Sequence, residues 1–217
     1  MDLHHTSGTP DWASVAPDAR NSWQRAAAAT RGVLTPANII SVLGFVLVVA
    51  GSTALKSKQF EVAFWLVAVG RLCDLADGYA AQKTGTKSPL GESVDAVLDK
   101  LGLLAVLLAL GSGHIAAWWI VGIIALQNAA NSVIAYIGRR RRLGIQPTGL
   151  GKLATVFEWL ALFCFILGRA YGPAWNVVGY CSLVPALGLG AFATVGYGLH
   201  VFPRRHVALQ TAKRTRG

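Results

Sequence analysis

Six long apolar stretches dominate this chain: roughly residues 37–55, 60–82, 91–112, 114–137, 150–170 and 174–201, with only short polar connections between them. A helix needs about 20 mostly apolar residues to cross the hydrocarbon core of a bilayer, and each stretch comes close to that. Hydrocarbon offers no water to backbone N–H and C=O groups, so each crossing segment must satisfy its own. Helices do this and open strands do not. The expected fold is an all-α integral membrane protein with six transmembrane helices.

Composition points the same way. Of 217 residues, 53% are hydrophobic and 14% charged, against about 25% charged in a soluble domain. The length suits one domain. Residues 1–33 carry Asp2, Asp11, Asp18, Arg20, Arg25 and Arg31 and no apolar run of the signal-peptide kind. They read as a cytoplasmic leader, with residues 1–18 disordered. Within the leader, 20–33 (RNSWQRAAAATRGV) form a short amphipathic helix at the membrane interface. Residues 34–203 form the six-helix domain, and 204–217 a basic cytoplasmic tail.

The net charge of +10 would be a nucleic-acid signal on a solvated face. Here the cations sit in short segments between apolar runs, so the expected contacts are membrane lipid headgroups and no nucleic acid is expected. With the N-terminus cytoplasmic, 15 of the 20 Lys and Arg residues lie on the cytoplasmic side; Lys56, Lys58 and Arg169 lie outside, and Arg71 and Lys100 lie within spans. This asymmetry predicts that both termini face the cytoplasm. The 83–90 loop and the run Arg139, Arg140, Arg141 and Arg142 then share one face.

The segment 71–100, RLCDLADGYAAQKTGTKSPLGESVDAVLDK, puts five acidic residues in or beside two apolar spans. Ionisable groups are costly in a membrane and mark function there. Asp74 and Asp77 are spaced i, i+3, and Asp95 and Asp99 i, i+4, so each pair shares a helix face. A polar loop with Gly85 and Pro89 turns the chain back, and the two pairs can converge at the cytoplasmic end. Four convergent carboxylates repel unless cations intervene. Oxygen ligands favour Mg²⁺, Mn²⁺ or Ca²⁺ over zinc, and Mg²⁺ commonly completes its shell with substrate phosphates. Gly78 and Gly91 lie on or beside the acidic faces, where a missing side chain admits a ligand close to the backbone.

The pattern Asp74-x2-Asp77-Gly78-x2-Ala81-Gln82-x8-Gly91-x3-Asp95-x3-Asp99 resembles the signature of the CDP-alcohol phosphotransferase family, D-x2-D-G-x2-A-R-x8-G-x3-D-x3-D. Every spacing agrees, and one residue departs, Gln82 at the family's arginine. The motif spans 26 residues; six helices after an interfacial helix also match the family's layout. The resemblance implies a phospholipid-synthesising enzyme of the cell membrane with its active site toward the cytoplasm. It would move a phosphatidyl group from CDP-diacylglycerol to an alcohol, releasing CMP. It implies that Asp74, Asp77, Asp95 and Asp99 hold Mg²⁺ or Mn²⁺, that Asp99 is the general base, that Gly78, Ala81 and Gly91 accommodate the nucleotide, and that the protein is a homodimer. Gln82 keeps hydrogen bonding but loses the cation, which Lys83 or Arg71 could offset.

Weaker signals bear on the acceptor. Residues 137–152, IGRRRRLGIQPTGLGK, join the fourth and fifth spans. Gly151-Lys152 with Thr155 is similar to a segment of phosphatidylglycerophosphate synthases, and 34–41 (LTPANIIS) to the start of the first span in several family branches. With Arg139–Arg142, which suit phosphate, Lys152 makes a phosphorylated acceptor the expectation, glycerol 3-phosphate or inositol phosphate. Glu158 in the fifth span is expected to pair with Arg or Lys, and Pro185 to kink the sixth. Cys73, Cys164 and Cys181 read as small buried side chains. An intramembrane prenyltransferase also uses Asp-rich metal motifs, but far apart in sequence. A transporter with membrane carboxylates would show repeat symmetry and midplane acids, and neither is seen here.

Overall fold

The computed structural model describes residues 11–141 and 148–201, with the backbone alone at Arg139, His200 and Val201. Every regular element among those residues is a helix. A 3-10 turn at Asp11–Ser14 precedes α1 (Ser22–Ala29), α2 (Pro36–Lys56), α3 (Phe60–Thr84), α4 (Pro89–Ser112), α5 (Trp118–Arg140), α6 (Gly149–Ala170) and α7 (Ala174–Val201). The protein is all-α and multi-pass. By length and apolar composition α2, α5, α6 and α7 are each able to cross a membrane. The helices α3 and α4, of 25 and 24 residues, carry the charged residues of segment 71–100 except Lys87, which lies in the loop between them.

The surface of these helices is apolar. Leu75 and Val184 are 73% exposed, and Trp65, Leu126 and Phe192 also point outward. A soluble protein does not cover itself in this way, whereas lipid requires it.

The chain divides into two compact units at Ile115/Ala116. In the first, α2 packs along α3 and also along α4. Closeness of α2 and α3 comes from glycine: a Cβ on Gly70 would stand 2.7 Å from the carbonyl oxygen of Gly44, and one on Gly44 2.9 Å from that of Gly70. The two backbones touch there, as small residues allow in membrane helices. The starts of α2 and α4 share one chemistry. Thr35 and Ser88 are N-caps whose hydroxyls accept from the N–H groups of Asn38 and Gly91, and each is followed by proline at the first helical position.

Residues 11–18, part of the 1–18 stretch expected to be disordered, begin with the 3-10 turn at Asp11–Ser14, and residues 1–10 of that expectation lie outside the described residues. Trp12 is buried against Gly32. Backbone and side chains of this arm reach the α3–α4 loop: Asp11 N donates to Lys87 O at 3.2 Å, Asn21 Nδ2 to Thr84 O at 3.3 Å, and Gln24 Nε2 to Gly85 O at 3.5 Å. Asn21 and Gln24 also close a capping box on α1. A single tryptophan in a polar stretch gave no periodicity from which its burial could be read.

In the second unit α7 packs on α6 and on α5. Asn128 Nδ2 donates to both carboxylate oxygens of Glu158, at 2.9 and 3.1 Å, an amide contact the sequence did not predict. Thr194 Oγ1 donates to Asn131 Oδ1 at 2.7 Å. The helix α7 continues through Pro185. All three cysteines are free; Cys164 is buried as expected, but Cys181 is exposed on the apolar surface.

Candidate metal centre and adjoining cleft

The i, i+3 spacing sets Asp74 and Asp77 on one face of α3, and Asp95 of α4 joins them. One carboxylate oxygen from each of these three residues lies within 4.8 Å of the others. Asp77 is buried and its Oδ2 lies 2.5 Å from the hydroxyl of Ser41 on α2. Asp95 Oδ1 is buried without a hydrogen-bond donor among the described residues. A buried, unsatisfied carboxylate oxygen beside two further carboxylates is costly on its own terms. A divalent cation removes both the repulsion and the missing contact, and an all-oxygen donor set suits Mg²⁺ or Mn²⁺. The three residues therefore fit such an ion.

Asp99 stands apart from this trio. Its Oδ1 lies 2.6 Å from Arg71 Nη1, and the same nitrogen lies 2.7 Å from Asp74 Oδ2. Lys100 Nζ is 3.5 Å from Asp99 Oδ2. Arg71 thus bridges a carboxylate of the trio to the fourth aspartate, and each of the three side chains is at most one-quarter exposed.

Both α3 and α4 pack on α2 and not closely on one another. That gap is a cleft of about 220 Å³ beside the carboxylates. Gly78, Ala81, Gln82 and Gly91 all line it, next to Asp77 and Asp95. Gly78 faces open space, with nothing within 4 Å of a would-be Cβ. Gly91 has a different reason: its Cβ would meet Asn38 Oδ1 at 3.0 Å and Ser88 Oγ at 3.1 Å, so it lets α4 approach α2. Sequence reasoning missed the α2 side of the cleft, Thr35, Asn38 and Ser41, and the loop residue Lys87. A signal existed: Asn38, Ser41 and Gly44 recur at i, i+3, i+6 in an otherwise apolar helix. Asn38 holds the preceding loop, its Nδ2 donating to Gly32 O and Val33 O.

Residues 34–191 match the family of CDP-alcohol phosphatidyltransferases. The chain belongs to this family. "Putative cardiolipin synthase" proteins of Mycobacterium tuberculosis and Mycobacterium bovis are 30% identical over 150 residues, 67% of this chain and 70% of theirs. The archaetidylinositol phosphate synthase of Pyrococcus horikoshii is 28% identical over 85 residues, 39% of this chain and 45% of its own. No solved structure matches. This CDP-alcohol phosphatidyltransferase is accordingly a membrane transferase of phospholipid synthesis, using a CDP-alcohol donor and an alcohol acceptor.

The expected acceptor residues belong to the second unit. Arg140 stacks on Tyr136, its guanidinium carbon 5.3 Å from the ring centroid. Arg141 and Lys152 are exposed. Arg139 is described by its backbone alone, and Arg142 lies outside the described residues.

Proposed function

We propose that this enzyme transfers a phosphatidyl group from CDP-diacylglycerol to a phosphorylated alcohol such as glycerol 3-phosphate or inositol phosphate, releasing CMP. One observation supports the donor half above others: the four motif residues Gly78, Ala81, Gln82 and Gly91 share a cleft with Asp77 and Asp95. Asp74, Asp77 and Asp95 hold Mg²⁺ or Mn²⁺. When bound, the ion supplies charge neutralisation on the donor's diphosphate. Gly78 leaves room for the nucleotide against the α3 backbone. Asp99, oriented by Arg71, accepts the proton of the acceptor hydroxyl. The acceptor oxygen bonds to the lipid-side phosphorus, the bond from that phosphorus to the bridging oxygen breaks, and CMP leaves with the electron pair. Catalysis rests on positioning and electrostatics, as is general for phosphoryl transfer.

Six spans follow in this reading, because α3 and α4 match the other helices in length and most of their charges lie in the half that carries the cleft. Both termini are cytoplasmic, α1 lies in the interface plane, and the enzyme is a homodimer. Arg139–Arg142 and Lys152 take the acceptor phosphate. The mycobacterial relatives, named for cardiolipin, favour a second reading in which the acceptor hydroxyl is carried by a lipid.

Purified enzyme given labelled CDP-diacylglycerol decides between them. CMP release with glycerol 3-phosphate or inositol phosphate, dependent on Mg²⁺ or Mn²⁺, is expected. Release with phosphatidylglycerol alone selects the second reading, and no release with any alcohol overturns both.

A further inference from the structure

The cleft has an unusual charge balance for a nucleotide site. Three acidic side chains line it, Asp77, Glu92 and Asp95, and a single basic one, Lys87. The cation that the family pattern places at position 82 is absent, since Gln82 is neutral. Neither substitute expected from the sequence stands in the lining. Arg71 is engaged by Asp74 and Asp99, and Lys83 Nζ lies 6.0 Å from the ring centroid of Tyr79. Lys87 is part-buried in the lining and makes no ion pair among the described residues, not even with Glu92. Its backbone is fixed, because its carbonyl accepts from Asp11 N. It directly precedes Ser88, the N-cap of α4, and Thr35, the N-cap of α2, lines the same cleft. The positive ends of two long helices therefore add to the charge of one ammonium at this mouth.

We propose that Lys87 is the phosphate-binding cation of the donor site, replacing from the α3–α4 loop the positive charge missing at Gln82. The inference rests on the CDP-alcohol reading above. The phosphate could in principle be the donor's diphosphate or the acceptor's monophosphate. The shared lining with Gly78, Ala81 and Gln82 favours the diphosphate.

The test uses the full chain in detergent with Mg²⁺, CDP as calorimetric probe, and steady-state kinetics with both substrates. Lys87→Met is expected to weaken CDP binding and raise the KM for CDP-diacylglycerol by roughly tenfold, the lower range for a lost charge-assisted contact at a part-exposed site. The acceptor KM should hold. Lys87→Arg, the double variant Gln82→Arg/Lys87→Met, and the control Lys83→Met should each stay within about threefold of the parent, a few tenths of a decade in affinity. The proposal is overturned if Lys87→Met binds CDP like the parent. It is also overturned if Lys87→Arg is as weak as Lys87→Met, which would mark a packing role, or if only the acceptor KM moves. Failure of the parent itself to bind CDP would instead overturn the donor reading, and this inference with it.

Discussion

Ser41 donates its hydroxyl to Oδ2 of Asp77 across 2.5 Å, from one helix to the next. In the proposed reaction the serine holds the metal-binding carboxylate of Asp77 in place. Outer-sphere partners of this kind are typically worth 10- to 100-fold in metal affinity or activity. Ser41→Ala should therefore weaken Mn²⁺ binding by about tenfold and lower kcat, with partial rescue at high Mn²⁺. Titration of Mn²⁺ by paramagnetic resonance, with the kinetics alongside, checks both.

Asp74→Asn and Asp95→Asn each remove a charged oxygen ligand from the trio. Transfer should fall below detection in both, and Mn²⁺ affinity should drop with it. Near-normal turnover by either purified variant would contradict the metal site.

Arg71 balances Asp74 and Asp99 through one nitrogen. Its loss leaves two poorly solvated carboxylates with one fewer cation, and breaking a partly buried pair by removing one partner can cost several kcal/mol. Arg71→Met should lower both kcat and thermal stability. Arg71→Lys keeps the cation but carries it on a shorter, flexible stem with a compact ammonium that positions the two carboxylates less rigidly, and should recover stability better than activity. Thermal unfolding in detergent and single-turnover assays separate the two effects.

Two glycines of α3 should respond in opposite ways to alanine. Gly78→Ala meets open space, and the helix gains up to about 1 kcal/mol in propensity; its fold should hold while the KM for the CDP-lipid rises. Gly70→Ala forces a methyl into the Gly44 carbonyl, and overpacking costs about 1–3 kcal/mol; it should lower the unfolding temperature. Equal unfolding temperatures for the two variants would contradict this packing.

Helical periodicity made the carboxylate pairs legible, because i, i+3 and i, i+4 spacings fix faces without tertiary knowledge. That Gly78 and Gly91 lie beside the carboxylates was legible from their spacing, and Ala81 and Gln82 of the cleft lining entered through the family pattern. Division of labour among the aspartates was not. Whether Asp99 joins the trio or turns to Arg71 depends on how α3 and α4 sit on α2, and that depends on the contact of Gly44 with Gly70, 26 residues apart in sequence. The loop cation was hidden similarly. Lys83 and Lys87 look equivalent in the sequence, and only the end of α3 at Gly85, in the left-handed conformation, separates one from the cleft lining and keeps the other in it.

The arm before the first long helix matters for where this protein can be cut. A boundary drawn at residue 34 would retain every long helix, the four motif aspartates Asp74, Asp77, Asp95 and Asp99, and the whole family match. It would also remove Asp11, Asn21 and Gln24, which hold the carbonyls of Lys87, Thr84 and Gly85. Those carbonyls belong to the rim that carries Lys87 and leads into Ser88. A shortened enzyme would keep its reactive centre and lose the brace on its entrance, so the arm belongs inside the minimal catalytic unit.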